Sequence, residues 1–362
     1  MSMLLTIAAI VLIVIVIFQI AKASEYVSAL KGDSGTFNKQ SNKINGSLMI
    51  AFLVLGLIGV FWCNHELYPE TLFPQGSASV EGENVDKLLY ITIALTGVVF
   101  FITQILLFVF AYKYQYKENK KIYFFPHNTR LEIIWTSVPT IVLLILIAYG
   151  LRSWFIFTGD APKNSMQIEV TGHQFGWIFR YPGKDGEFGK KYFKDINANN
   201  GLGLIWKDSA ALNQKADPAT FDDITMEGKV YLVKGKPVKF LINSQDVIHD
   251  VGLPQFRLKM DAVPGTPTTL WFTPKYTTEE MKQRTGNPNF VYELSCDQLC
   301  GRGHYSMRAE VVVLTQPEFD AVMAKQKPAY YLAFPDKDPS NIKPAADSTK
   351  PATDSLKTVA IK

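Results

Sequence analysis

Four long apolar runs fill the first 155 residues, and short, alternating stretches replace them afterwards. Met3 to Ile20 is apolar except at Thr6 and Gln19, long enough to span a bilayer. Leu48 to Trp62, Leu88 to Tyr112 and Ile133 to Leu151 follow, the last with Pro139 in its first half. Proline is tolerated in a membrane helix where neighbouring groups satisfy the freed carbonyl. The pattern predicts helices over about 3–20 and 47–63 within residues 1–70, and a transmembrane hairpin of about 88–112 and 132–153 within residues 71–155.

From Ser165 the period shortens. Met166 to Val170, Lys229 to Val233, Pro237 to Ile242, Thr268 to Phe272 and Ala309 to Val313 read as strands, being β-branched or aromatic and bounded by Gly, Pro, Asn and Asp. Many short strands between turn signals predict an all-β sandwich or Greek-key barrel over residues 165–327. A polar stretch of about 183–228 reads as a surface insertion. Residues 328–362, rich in Pro, Asp, Lys, Ser and Thr, read as a disordered tail, since such a composition buries little apolar surface.

Charge adds orientation. Segment 22–47 carries Lys22, Lys31, Lys39 and Lys43, and segment 113–130 carries Lys113, Lys117, Lys120, Lys121 and Arg130. Segment 63–88 has Lys87 against Glu66, Glu70, Glu81, Glu83 and Asp86. The positive-inside rule makes the first and third connections cytoplasmic, which fits four spans with both termini outside. The rival is a signal peptide cleaved near Ala21-Lys22-Ala23, although its first residues lack positive charge. The net charge of +4 is too small and dispersed to suggest nucleic-acid binding.

The chemistry concentrates in Cys296-Asp297-Gln298-Leu299-Cys300-Gly301-Arg302-Gly303-His304-Tyr305-Ser306-Met307, with His249 upstream. Three readings stand on the residues alone. Two cysteines in an external domain can form a disulfide. A zinc site needs four good ligands and gains nothing from Met307. Thiolate, imidazole and a weak thioether together suit copper electron transfer. Cys63, at the end of an apolar run, reads as a buried structural thiol.

The segment resembles the binuclear Cu-A centre of subunit II of haem-copper cytochrome c oxidases, whose pattern is C-x-E-x-C-x-x-x-H-x-x-M with an upstream D-V-x-H. Cys296, Cys300, His304 and Met307 stand at that spacing, Asp246-Val247-Ile248-His249 matches the upstream element, and Met260 to Gly265 and Leu131 to Pro139 resemble further family segments. The resemblance implies a cupredoxin-like Greek-key sandwich anchored by helices in a bacterial inner membrane, with its copper domain on the periplasmic side. It implies two copper ions bridged by Cys296 and Cys300, with one imidazole each from His249 and His304. Met307 and the main-chain carbonyl of Gln298 would be weak ligands.

It also implies haem in partner subunit I, a further subunit III, proton-coupled oxygen reduction, and a separate cytochrome c donor, within a respiratory supercomplex or outside one. The chain has no C-x-x-C-H of its own. Relatives commonly carry Glu at position 298, where it helps hold a magnesium at the subunit I interface; Gln298 is a poorer partner for that hard cation. Gly172-His173-Gln174-Phe175-Gly176-Trp177 resembles the family's aromatic segment with Phe175 in place of its first Trp, so electron entry is expected at Phe175 or Trp177, with Tyr181 or a different docking of the donor as the alternatives. Glu132 matches a carboxylate at the mouth of a proton channel. The group Asp217, Asp222, Asp223 and Glu227 reads either as a docking patch for a basic donor or as a solvated insertion. A quinol-oxidising relative, a nitric-oxide or nitrous-oxide reductase domain, and a copper-binding module without electron traffic are the rivals.

Overall fold

A computed structural model describes residues 2–30, 34–117, 120–121, 123–209 and 214–341. The chain divides into two compact units at Ile156 and Phe157.

The first unit is helical: α1 (Ser2–Leu30), α2 (Ser34–Leu67), α3 (Gly82–Lys113) and α4 (Thr129–Thr158). All four are long and apolar enough to cross a membrane. Each runs beyond its apolar stretch, because helical hydrogen bonding continues into polar flanks where side chains support it. In α1 the Lys22 ammonium pairs with Glu25 one turn on, at 2.9 Å. α2 packs along α3 through Phe52 against Phe108 (5.5 Å between centroids) and Phe61 against Phe101 (6.1 Å). Inside the spans, Thr92, Thr103 and Thr140 donate their hydroxyls to carbonyls one turn back, so these hydroxyls need no water.

The second unit is a sandwich of two five-stranded sheets. One has the order β3 (Ile224–Glu227), β2 (Gly176–Tyr181), β1 (Met166–His173), β5 (Val238–Ser244), β8 (Thr268–Phe272). The other runs β4 (Lys229–Val233), β10 (Arg308–Leu314), β9 (Tyr292–Ser295), β6 (His249–Leu253), β7 (Leu258–Ala262). β1 runs parallel to β5 and β4 parallel to β10; the other pairings are antiparallel. Alternation builds the core: Val238, Phe240 and Ile242 of β5 and Ala309, Val311 and Val313 of β10 are buried, while their neighbours reach outward. Phe256 bridges the sheets, 5.1 Å from Phe272 and 4.8 Å from Tyr292 between ring centroids.

Two sequence expectations change. The insertion of about 183–228 ends earlier, because Ile224–Glu227 pairs with β2 as an edge strand. Nor is the start of the tail disordered: α6 (Ala329–Ala333) follows α5 (Gln316–Met323), and ordered turns reach Asn341. Tyr330 and Phe334 pack edge-on to Trp206 at 5.8 and 5.7 Å, and the Ala329 amide donates to the Asp223 carbonyl at 2.8 Å. The aromatic side chains supply the burial that composition hides. Residues 342–362 of the expected tail lie outside the described residues.

Of the acidic group on the insertion, Asp217, Asp222 and Asp223 are engaged by the fold rather than freely solvated. Asp222 accepts from the Lys184 and Asp185 amides, and Asp217 from the Lys190 amide. Asp223 is fully buried against Arg180, Nη2 to Oδ2 2.5 Å. Glu227 faces His173 at 3.5 Å. Asp223 joins the insertion to the sheet, Asp217 and Asp222 brace the insertion itself, and the Glu227 side chain stays 71% exposed.

Candidate metal centre

β9 and β10 are antiparallel neighbours with Ser295 opposite Arg308, so residues 296–307 form the loop that joins them. The Cys296 amide donates to the Met307 carbonyl at 3.1 Å, closing the loop at its base and setting the first and last sulfur side by side. Within it, a turn at His304–Ser306 closes through the Met307 amide to the His304 carbonyl at 3.2 Å. Gly301 takes a φ of 132°, which an L side chain rarely adopts. His249 enters from the start of β6.

The side chains converge. Cys296 Sγ lies 3.8 Å from Cys300 Sγ, and both thiols are free and buried. That separation is far beyond the ~2.05 Å of a disulfide. His249 Nδ1 lies 3.9 Å from Cys296 Sγ, and His304 Nδ1 lies 3.7 Å from Cys300 Sγ. Met307 Sδ lies 3.7 Å from Cys300 Sγ, and the Gln298 carbonyl 3.2 Å from Cys296 Sγ. One ligand atom each from His249, Cys296 and Cys300 lies within 4.8 Å of the others. Two soft sulfurs between two imidazoles, with a thioether and a carbonyl at the margins, suit copper better than a closed zinc tetrahedron.

A second layer orients these groups, and the sequence reading missed most of it. Asp246 Oδ1 lies 2.8 Å from His249 Nε2, which fixes the tautomer so that Nδ1 turns its lone pair toward the thiols. Burial alone would push the Asp246 carboxyl up; hydrogen bonds from His249 and from the Gln174 and Val247 amides outweigh it and hold it below its usual range. Gln174 also donates its side-chain amide to the Cys300 carbonyl at 2.6 Å, tying β1 to the copper loop. Gly172 gives the His249 ring its room: a Cβ there would stand 2.9 Å from Cδ2. The aspartate three residues before His249 and the Gln after His173 were the legible signals.

The remaining candidates lie outside the ligand set. Phe175 packs over Gly301 and Gly303, where a Cβ would meet its ring, and stays 39% exposed. Trp177 is fully buried, its indole 5.9 Å from the His249 ring and edge-on. Glu132 lies in the first turn of α4, where its carboxylate accepts from the Asn128 amide at 3.3 Å. Cys63, expected to be buried, is exposed on α2, where the apolar surroundings it was expected to join face outward.

Burial, and then the neighbouring Cys296, push the Cys300 thiol up to about 11. Below that pH the metal-free loop holds the proton, and a metal must displace it. Copper affinity is therefore expected to rise by at least about tenfold per pH unit between pH 6 and 8, since at least one proton leaves per binding event. Competition with a chelator measures it, and a pH-independent affinity would contradict the assignment. Burial likewise pushes Asp250, next to His249, up to about 7, with Asp261 alongside adding to the rise and Lys259 opposing it.

Comparison with known proteins agrees with this geometry. Residues 68–152 match the family described as cytochrome c oxidase subunit II, transmembrane domain, and residues 166–314 that described as cytochrome c oxidase subunit II, periplasmic domain. An alternative cytochrome c oxidase subunit 2 of Bradyrhizobium diazoefficiens is 36% identical over 247 residues, covering 67% of this chain and 80% of that protein. A probable cytochrome c oxidase subunit 2 of Rickettsia bellii is 30% identical over 242 residues, 67% and 77% of the two chains. Cytochrome c oxidase subunit 2 of Cereibacter sphaeroides is 27% identical over 246 residues, 67% and 75%. α1 and all of α2 precede the matched segments.

Proposed function

The chain belongs to the cytochrome c oxidase subunit II family, and from that premise we propose that it receives electrons from a separate cytochrome c and delivers them to the haem-bearing subunit I. Oxygen is reduced to water there, coupled to proton translocation. The chain is a membrane protein with a cupredoxin-like periplasmic domain, and we place it in a bacterial inner membrane beside subunits I and III. The observation that carries the reading is the pair of unbonded thiols 3.8 Å apart between two imidazoles.

Cys296 and Cys300 would bridge two copper ions, His249 and His304 would bind one each, and Met307 and the Gln298 carbonyl would bind weakly. When bound, such a pair shares one electron between two metals, so reduction requires little rearrangement. The chain's own residues prepare that site. Asp246 holds the His249 tautomer and Gln174 pins the loop. Met307, 1% exposed, and the buried thiols keep water from the sulfurs.

For electron entry the exposed edge of Phe175, packed on the copper loop, is better placed than the buried Trp177. Glu132 is kept as a proton-entry carboxylate; its contact with Asn128 also makes it a cap of α4. The magnesium expected beside residue 298 would have only an amide side chain from this chain.

Rapid mixing of the assembled oxidase with reduced cytochrome c tests the proposal. The copper absorption is expected to bleach before the haem is reduced. Haem reduction that precedes or bypasses the copper change would contradict it.

A further inference from the structure

The domain that follows α4 is periplasmic, so the connection between α3 and α4 lies on the cytoplasmic face. α2 runs antiparallel to α3, because Gly46, Phe52 and Phe61 meet Tyr112, Phe108 and Phe101 in turn. The start of α2 and the end of α3 therefore share one cytoplasmic end. They touch there: a Cβ on Gly46 would stand 3.2 Å from both the Tyr112 ring and the Gln115 side-chain nitrogen.

Positive charge gathers around that contact. Lys39, Lys43 and Gly46 follow a four-then-three spacing, which sets them on one face of α2, the face that meets α3. Lys113 closes α3, and Lys117 follows shortly after Gln115. These lysines are exposed, and none of them has a carboxylate partner among the described residues. Tyr114 and Tyr116 stand between Lys113 and Lys117, 69% and 61% exposed, and the Lys113 ammonium lies 5.5 Å from the centre of the Tyr114 ring.

Depth and charge select the occupant. Lys43 precedes the apolar run that begins at Leu48 by about 7 Å of helix, close to the depth of one headgroup layer. Lys113 directly follows the apolar run that ends at Tyr112. Tyrosines favour the same layer, where the ring meets acyl chain and the hydroxyl meets water. Unpaired ammoniums at that depth face lipid phosphates, and each is worth about fivefold in affinity for an anionic surface.

We propose that the cytoplasmic ends of α2 and α3 form a docking face for anionic phospholipid headgroups, with Lys39, Lys43, Lys113 and Lys117 meeting the phosphates. Half of this face comes from a helix that precedes the segments matched to the family. The face gives α2 a role of its own, seating α3 in the cytoplasmic leaflet.

Native mass spectrometry of the full chain in detergent, with equimolar phosphatidylglycerol and phosphatidylcholine added, tests the assignment. The first lipid bound should be phosphatidylglycerol, preferred by at least about fivefold. Lys39→Gln with Lys43→Gln, and separately Lys113→Gln with Lys117→Gln, should each lower that preference by at least about threefold. Each pair leaves the other connection's basic residues in place, so the orientation of the spans is kept. Lys22→Gln, whose ammonium is already paired with Glu25, should leave the preference unchanged. Equal binding of the two lipids, or a preference that survives both double variants, would overturn the docking face. So would a preference of the isolated chain that vanishes in the assembled oxidase, since a partner subunit would then cover these helix ends. The readout needs neither copper nor electron transfer, so its failure leaves the proposed function standing.

Discussion

Cys296→Ser and Cys300→Ser proteins should each lose the shared-electron copper centre, and with it electron delivery from cytochrome c to haem. The two sulfurs lie 3.8 Å apart, each within 4 Å of one imidazole nitrogen, so either change removes a ligand that both metals would share. Partners outside the ligand shell are worth about 10–100-fold in metal affinity. Loss of a bridging thiolate should exceed that range, weakening copper binding by more than ~100-fold. Serine is smaller than cysteine and the loop is closed by backbone contacts at its base, so circular dichroism should stay that of the parent. Copper analysis, absorption and turnover check the result. Two coppers retained with an unchanged spectrum in either variant would exclude the bridging roles.

The largest expected stability effect lies away from the metal. Arg180 of β2 is 1% exposed. It donates to Glu169 Oε2 at 3.1 Å, to Asp223 Oδ2 at 2.5 Å and to the Gly189 carbonyl at 2.5 Å. Lys191 and Asn243 complete the shell around Glu169. This network fastens the insertion to the first sheet. Arg180→Met leaves two buried carboxylates without their shared cation, a class of change that costs about 3–5 kcal/mol. Asp223→Asn should cost less. Burial already pushes that carboxyl up to about 6 against the pull of Arg180, and a neutral amide still accepts from the guanidinium. Chemical denaturation of the full chain in detergent, followed by tryptophan fluorescence, measures both. A loss below ~1 kcal/mol for Arg180→Met would show that the network is not a fastening.

What was legible follows from the range of the interactions. The helical spans announce themselves because their long central stretches are almost wholly apolar, and the strands β1, β4, β5, β8 and β10 because their β-branched residues alternate. β6 was hidden: His-Asp-Val-Gly-Leu carries a metal ligand, a buried carboxylate and a glycine, and is buried along its whole length. β7 and β9 mix charged with apolar positions and become strands through partners far along the chain. The ordered start of the tail depends on Tyr330 and Phe334 meeting Trp206, more than a hundred residues earlier. Within the site, Cys296, Cys300, His304 and Met307 stood out as candidates through the family resemblance, because all four share one loop. Asp246 stands three residues before His249 and Gln174 directly after His173, but their contacts as an orienting partner and a clamp needed the fold. The partners of Asp217, Asp222 and Asp223 likewise needed the fold, being backbone amides and a buried arginine.

The electron-spin spectrum of the full chain loaded with copper tests the central claim most directly. Two coppers per chain and a multi-line hyperfine pattern from one unpaired electron shared equally by both nuclei are the results the account predicts. The pattern of a single isolated copper, or a colourless protein in which Cys296 and Cys300 have formed a disulfide, would contradict it.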